Sequence, residues 1–172
     1  MMGPSMRLAR TACWPWLLAA VVAADAPLPP PAPVVRCSKN GVYCGKADPK
    51  ADSIVVYRKD APEKVLWSVA GWQRAFDVSD SGDSLVACYS GMNLLPLDYE
   101  PEWTMLSFYE RGRLVRKVSL AELVPDRSKL RRTVSHYEWG RCRGFDGPRS
   151  YAVETVDRGL LRFDAATGQP AR

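Results

Sequence analysis

The chain is poor in the residues on which catalysis draws most. It has one histidine, His136, in 172 residues. A zinc site is therefore poorly supplied, and a serine–histidine–acid triad has a single imidazole to work with. No G-x-S-x-G elbow is present. There is no C-x-x-C pair of the kind that tunes thiol pKa in thioredoxin-like sites. No D-x-[DN]-x-[DN]-G loop with a distal glutamate marks an EF-hand. No apolar run reaches the ~20 residues that a membrane-spanning helix needs. The basic excess is mild, +5, and is not gathered into a tail, which argues against nucleic acid as a partner. These absences point away from familiar hydrolase, redox, calcium-loop and nucleic-acid-binding signatures, and no cofactor is implied.

What is present begins with a targeting pattern. Arg7 and Arg10 precede an apolar stretch from Thr11 to Ala24 that only Thr11 and Pro15 interrupt. Its length fits a secretory h-region, and Val22 and Ala24 suit cleavage after Ala24. Cleavage after Ala26 also fits the pattern but sets Pro27 just past the bond. Residues 1–24 thus read as a signal peptide, with an uncleaved anchor as the alternative, and the mature chain as secreted or periplasmic without a stable membrane span. Removing Arg7 and Arg10 turns 24 basic side chains into 22 against 19 acidic ones, a charge of +3. Cys13 leaves as well. Cys37, Cys44, Cys88 and Cys142 remain, an even number that implies two disulfides in an exported chain.

Residues 25–35, DAPLPPPAPVV, hold five prolines. Fixed φ and missing amide donors predict an extended spacer, or alternatively a ligand for a proline-binding groove. A single β domain then spans 36–164, with a flexible tail at 165–172. Asn40-Gly41 signals a hairpin. A two-residue loop sets Cys37 opposite Cys44, whereas a three-residue loop sets Cys37 opposite Tyr43 and sends the cysteines to opposite faces. The expected pairing is Cys37–Cys44 with Cys88–Cys142, among three possible pairings. Residues 52–58 and 64–69 form the next hairpin. Residues 75–79 and 84–88 flank Asp80-Ser81-Gly82, whose three-residue loop would pair Val78 with Ser84 and Phe76 with Val86. A connection over 90–102 leads to strands at 103–109 and 113–119 around Arg111-Gly112. Ser119 and Glu122 form a capping box for one short helix near 119–124, ended by Pro125. A weaker third unit opens at Ser135 and continues through strands at 151–156 and 160–164. The fold class is mostly β: antiparallel hairpin repeats in an incomplete propeller-like or two-sheet arrangement.

The turns Ser38-Lys39-Asn40-Gly41 and Ser79-Asp80-Ser81-Gly82, each followed by strands and a further hairpin, resemble TolB-type and related bacterial β-propeller repeats over residues 38–120. Lys39 and Asp80 stand where that pattern has proline, and Asn40 and Ser81 where it has aspartate. The resemblance implies scaffold or binding work in the bacterial envelope and carries over no catalytic residue. Three units are too few to close a ring of four to eight blades, so self-association is one expected way to cover free edges.

Six groups of residues carry candidate chemistry. His136 with a nearby carboxylate is the hydrolase alternative, set against a histidine at a strand end. Cys88 and Cys142 are a redox pair or, preferably, a structural bond. Asp77, Asp80 and Asp83 recur at three-residue spacing around a turn, as oxygen ligands for Ca²⁺ or as turn formers. Asp98, Glu100 and Glu102 alternate along a proline-containing loop, as an acid–base pair or as a solvated edge. Tyr43, Tyr57, Trp67, Trp72, Trp103 and Tyr109 are an aromatic strip or core packing. Arg111, Arg113, Arg116, Lys117, Arg127, Lys129, Arg131 and Arg132 face only Glu122 and Asp126 within 111–132. They form the preferred contact surface for an anionic envelope component or a protein partner. The expected function is a non-enzymatic binding or interaction module. A hydrolase and a periplasmic inhibitor of a hydrolase are the alternatives.

Overall fold

A computed structural model describes residues 28–171. The expected signal peptide, residues 1–24, lies outside the described residues. The first sheet is an antiparallel meander of β1 (Val34–Cys37), β2 (Tyr43–Asp48), β3 (Ser53–Arg58) and β4 (Ala61–Ala70). The second is again four-stranded: β5 (Ala75–Val78) and β6 (Ser84–Cys88), an excursion containing β7 (Leu94–Pro96), then β8 (Thr104–Glu110) and β9 (Arg113–Ser119). Helix α1 (Leu120–Leu123) and a 3-10 turn (Arg127–Lys129) lead to β10 (Arg131–Arg132) and β11 (His136–Glu138), which join β7 in a small sheet ordered β10-β11-β7. The last meander is β12 (Gly140–Phe145), β13 (Ser150–Thr155) and β14 (Gly159–Asp164).

The first strands of the three meanders lie side by side, β1 and β2 against β5 and β5 against β12. The arrangement is therefore a stack of three propeller-like units, with no closed ring among the described residues, rather than a two-sheet sandwich. Burial follows position in the stack. In β6 all five residues are buried, and in β8 the run Met105 to Phe108 is buried, because the middle unit is covered on both faces. In β3 buried Ile54 and Val56 alternate with half-buried neighbours, because the first unit has one free face. One core, including Ala47, Ile54, Val56, Phe76 and Leu85, fills the seam between units one and two. A larger one, including Val86, Leu106, Phe108, Trp139, Tyr151 and Phe163, fills the seam toward unit three.

The two serine turns explain both hairpin registers. In each, the serine N–H bonds the carbonyl five residues on: Ser38 to Tyr43 at 2.7 Å and Ser79 to Ser84 at 2.9 Å. The serine Oγ accepts the return N–H, from Tyr43 at 3.1 Å and from Ser84 at 3.1 Å. Gly41 and Gly82 take φ of +73° and +75°, which glycine adopts without steric penalty. Four residues thus lie in each loop. A four-residue loop has the parity of a two-residue one, so Cys37 faces Cys44 as expected. In the second hairpin the expected three-residue loop is wrong by one. Val78 pairs with Leu85 and Phe76 with Ala87.

Both disulfides form as paired in the sequence reading. Cys37–Cys44 closes the first hairpin, and Cys88–Cys142 ties β6 to β12 across units two and three. The capping box on α1 is present, with Ser119 accepting the Glu122 N–H and Glu122 accepting the Ser119 N–H. Four details differ from expectation. Strand β1 starts at Val34, inside the stretch read as spacer, because Val34 and Val35 pair with Ala47 and Lys46. The connection over 90–102 holds a strand, β7, which pairs with β11. Ser135 does not open the third unit but lies in the turn before β11. The turn matching Ser38 and Ser79 is the one between β12 and β13, closed by Asp146 N–H to the Ser150 carbonyl at 3.0 Å. Finally, residues 165–171 are not a free tail. Ala165 is fully buried, Ala165 N–H bonds the Arg149 carbonyl, Ala171 N–H bonds that of Arg162, and Phe163 bridges to Pro170.

Candidate functional site

Where the three innermost strands converge, a groove of about 540 Å³ opens on the axis of the stack. Arg36 comes from β1, Phe76 and Asp77 from β5, and Arg141 and Arg143 from β12, with Met92, Asn93 and Glu138 also in the lining. The units approach closely here because Gly45, opposite Arg36, has no side chain. A Cβ there would stand 2.6 Å from the Phe76 ring.

The charges in the groove are partly committed. Arg141 gives its Nε and Arg143 one Nη to the same Oε2 of Glu154, at 2.8 and 2.6 Å. The Arg141 hydrogen bond, with the neighbouring guanidinium charges, holds the Glu154 carboxyl below the ordinary glutamate range. Because one oxygen serves both arginines, neither makes a two-point fork, and part of each guanidinium keeps its donors. Asp77 accepts the Tyr151 hydroxyl at 2.8 Å. Burial, and then the Asp77 charge, push that phenol well above the ordinary tyrosine value, so it stays a neutral donor. Glu138 lies 3.6 Å from Arg131, linking the groove to β10.

The eight basic residues singled out from the sequence lie on the β8–β9 turn, β9, the 3-10 turn and β10. Arg111 pairs with Asp83 at 2.8 Å at the tip of the β8–β9 hairpin, and Arg113 is exposed beside it. Arg116 is held by Glu122 at 2.6 Å and by the Gly168 carbonyl and Gln169 at 3.0 and 2.9 Å. Lys117 is exposed opposite Ser107. Arg127 and Lys129 are exposed on the 3-10 turn, and Arg131 and Arg132 are exposed on β10. Arg131 reaches the groove through Glu138. Arg36, Arg141 and Arg143 were missed by the sequence reading. Arginines on either side of Cys142, itself expected to be bonded, were the available signal.

The remaining candidates separate as well. Asp77, Asp80 and Asp83 face three different partners: Tyr151, Asn40 and Arg111. Among the described residues no cluster of three or more potential metal ligands occurs. Asp80 instead accepts the Asn40 N–H at 2.7 Å, and its carbonyl accepts the Asn40 side chain at 3.0 Å. The residues that depart from the repeat pattern thus join two successive turns. Asp98, Glu100 and Glu102 are exposed on their loop. His136 Nδ1 meets Ser135 Oγ at 2.9 Å on an exposed turn, and neither residue lines the axial groove. Of the aromatic set, Tyr43, Trp67, Trp72 and Tyr109 pack on the first seam and Trp103 on the second. Among the described residues no helix is long and apolar enough to cross a membrane.

No protein-family model matches the chain, and no curated protein matches it. Solved structures similar to it include hydrazine synthase of Kuenenia stuttgartiensis, at 12% identity and a TM-score of 0.37, covering 79% of this chain and 34% of that one. They also include the β-propeller domain of Myceliophteria thermophila Cps50 (Swd1), at 10% identity and a TM-score of 0.38, covering 80% of this chain and 39% of that one. The chain thus spans little more than a third of each.

Proposed function

We propose that this chain is a non-enzymatic binding module of an oxidising compartment, secreted or periplasmic, that docks an anionic partner in the axial groove. The observation that carries the reading is the convergence of Arg36, Arg141 and Arg143 from β1 and β12 on one open groove. Their remaining donors suit carboxylate or phosphate oxygens. Of the two acids in the lining, Asp77 accepts the Tyr151 hydroxyl and Glu138 lies 3.6 Å from Arg131. Arg131 and Arg132 extend the basic character along β10, which keeps part of the sequence-derived patch in the contact surface. The two disulfides fit export, since such bonds persist in oxidising compartments.

The test uses a fluorescent hexaglutamate peptide as an acidic probe, followed by anisotropy at low and high salt. Binding that weakens with salt and falls about tenfold or more in Arg36→Glu with Arg141→Glu is the expected result. Binding indifferent to both changes, in a variant that keeps the parent circular dichroism, overturns the reading.

A further inference from the structure

The geometry points to a second binding site, a shelf formed by Trp72 and Arg74 that recognises proline-rich extended peptide, with the chain's own residues 28–33 as its resident ligand. The shelf lies in the link between β4 and β5, and its backbone is pinned. Asp52, in the left-handed region at φ +45°, accepts the Trp72 N–H on Oδ1 at 2.8 Å and the Gly71 N–H on its carbonyl at 2.8 Å. The Arg74 guanidinium stands 5.2 Å from the centre of the Trp72 ring, within cation–π range. The aromatic plate and the guanidinium donors are therefore held side by side.

Both side chains take backbone carbonyls of the proline-rich segment. Trp72 Nε1–H donates to the Ala32 carbonyl at 3.1 Å, and Arg74 donates to the Pro29 carbonyl. These carbonyls are three residues apart. A polyproline helix repeats every three residues, so carbonyls at that spacing leave the same side of the chain. Four of residues 28–33 are proline, with φ fixed and no amide donor. Such a segment offers ring faces and carbonyl acceptors, and the shelf supplies an aromatic face and donors. This is the complementarity by which extended proline segments dock aromatic-lined sites.

The resident segment can be exchanged. Residues 28–33 are all exposed, so they lie over the shelf and can leave it without opening either core. Their tether gives them an effective concentration on the order of millimolar. A proline-rich segment of a partner protein, of the Leu-Pro-Pro-Pro-Ala-Pro type, must compete with that local supply.

The experiment uses the full chain and a fluorescein-labelled LPPPAP peptide. Pro29→Gly, Pro30→Gly and Pro31→Gly together free the shelf, and the triply substituted chain binds the peptide at least tenfold more tightly than the unsubstituted chain. Adding Trp72→Phe, which keeps an aromatic ring and removes the indole donor, weakens that binding several-fold, as does adding Arg74→Ala. Two outcomes overturn the inference, given unchanged circular dichroism: no peptide binding by the triply substituted chain at millimolar peptide, or binding unaffected by Trp72→Phe and Arg74→Ala.

Discussion

Single residues hold this fold where the units meet. Gly82 sits under the Tyr43 ring, and a Cβ there would lie 2.3 Å from a ring carbon while φ is +75°. Both the strain and the overlap exclude a larger residue, so the serine turn and the Tyr43 contact depend on one glycine. Tyr151 is fully buried and donates its hydroxyl to Asp77 across the second seam. A hydrogen bond to a charged acceptor contributes about 1.5–3 kcal/mol, and Asp77, half-exposed in the groove, recovers part of this from water when the donor is removed. Tyr151→Phe is therefore expected to cost about 1–2 kcal/mol, a fall in Tm of roughly 3–6 °C for a chain of this size. Differential scanning calorimetry of the two proteins checks the value.

At the scale of elements, the two disulfides do different work. Cys37–Cys44 spans seven residues within one hairpin, and Cys88–Cys142 spans 54 and joins two units. In the chain-entropy view, closing a loop of the longer size stabilises by about 4 kcal/mol, against about 2.5 kcal/mol for the shorter. Replacing Cys88 and Cys142 by alanine is expected to lower stability more than replacing Cys37 and Cys44, and urea unfolding of both variants measures the order. The reverse order would mean that the seam between units two and three holds without its covalent tie. Trp139 supports that seam independently: it is fully buried and donates Nε1–H to the Met92 carbonyl at 2.7 Å.

For the whole molecule, pH dependence follows in part from the ion pairs that Glu154 makes with Arg141 and Arg143. Glu154 is held below its ordinary pKa by Arg141 and then Arg143. A carboxyl depressed in the folded state contributes stability that is present above its unfolded pKa and is lost as pH falls through the folded value. The chain should therefore lose Tm as acid is added through and below the ordinary glutamate range. Glu154→Gln should show a shallower fall over that window, although it is less stable at neutral pH. Thermal melts between pH 7 and pH 3 test this, and parallel curves for the two proteins would deny Glu154 the role. The contribution is small and salt-sensitive because the group is at the surface. The stack itself rests on the two apolar seams.

The strands, their turns and the position of the first hairpin were legible in the sequence, and the expected cysteine pairing was one of three until the fold settled it. Alternation, β-branched runs and Gly-containing turns define local pairs, and the parity of a loop sets which cysteines face each other. The capping box of Ser119 and Glu122 was legible for the same reason, since every partner lies within a few residues. Tertiary structure alone decided the rest. The slip in the second hairpin turned on whether the Ser79 hydroxyl takes the Ser84 N–H, a choice that spacing does not encode. The pairing of β7 with β11 joins residues about 40 positions apart. The folding back of residues 165–171 depends on Arg116 and Phe108, which lie against Gly168. The candidate groove was the least visible feature, because Arg36 and Arg141 come from opposite ends of the chain and meet only where the units converge. The basic residues conspicuous in the sequence fall on an edge strand, the turns beside it and β10, elements whose relative placement is set by long-range strand pairing that linear spacing does not encode.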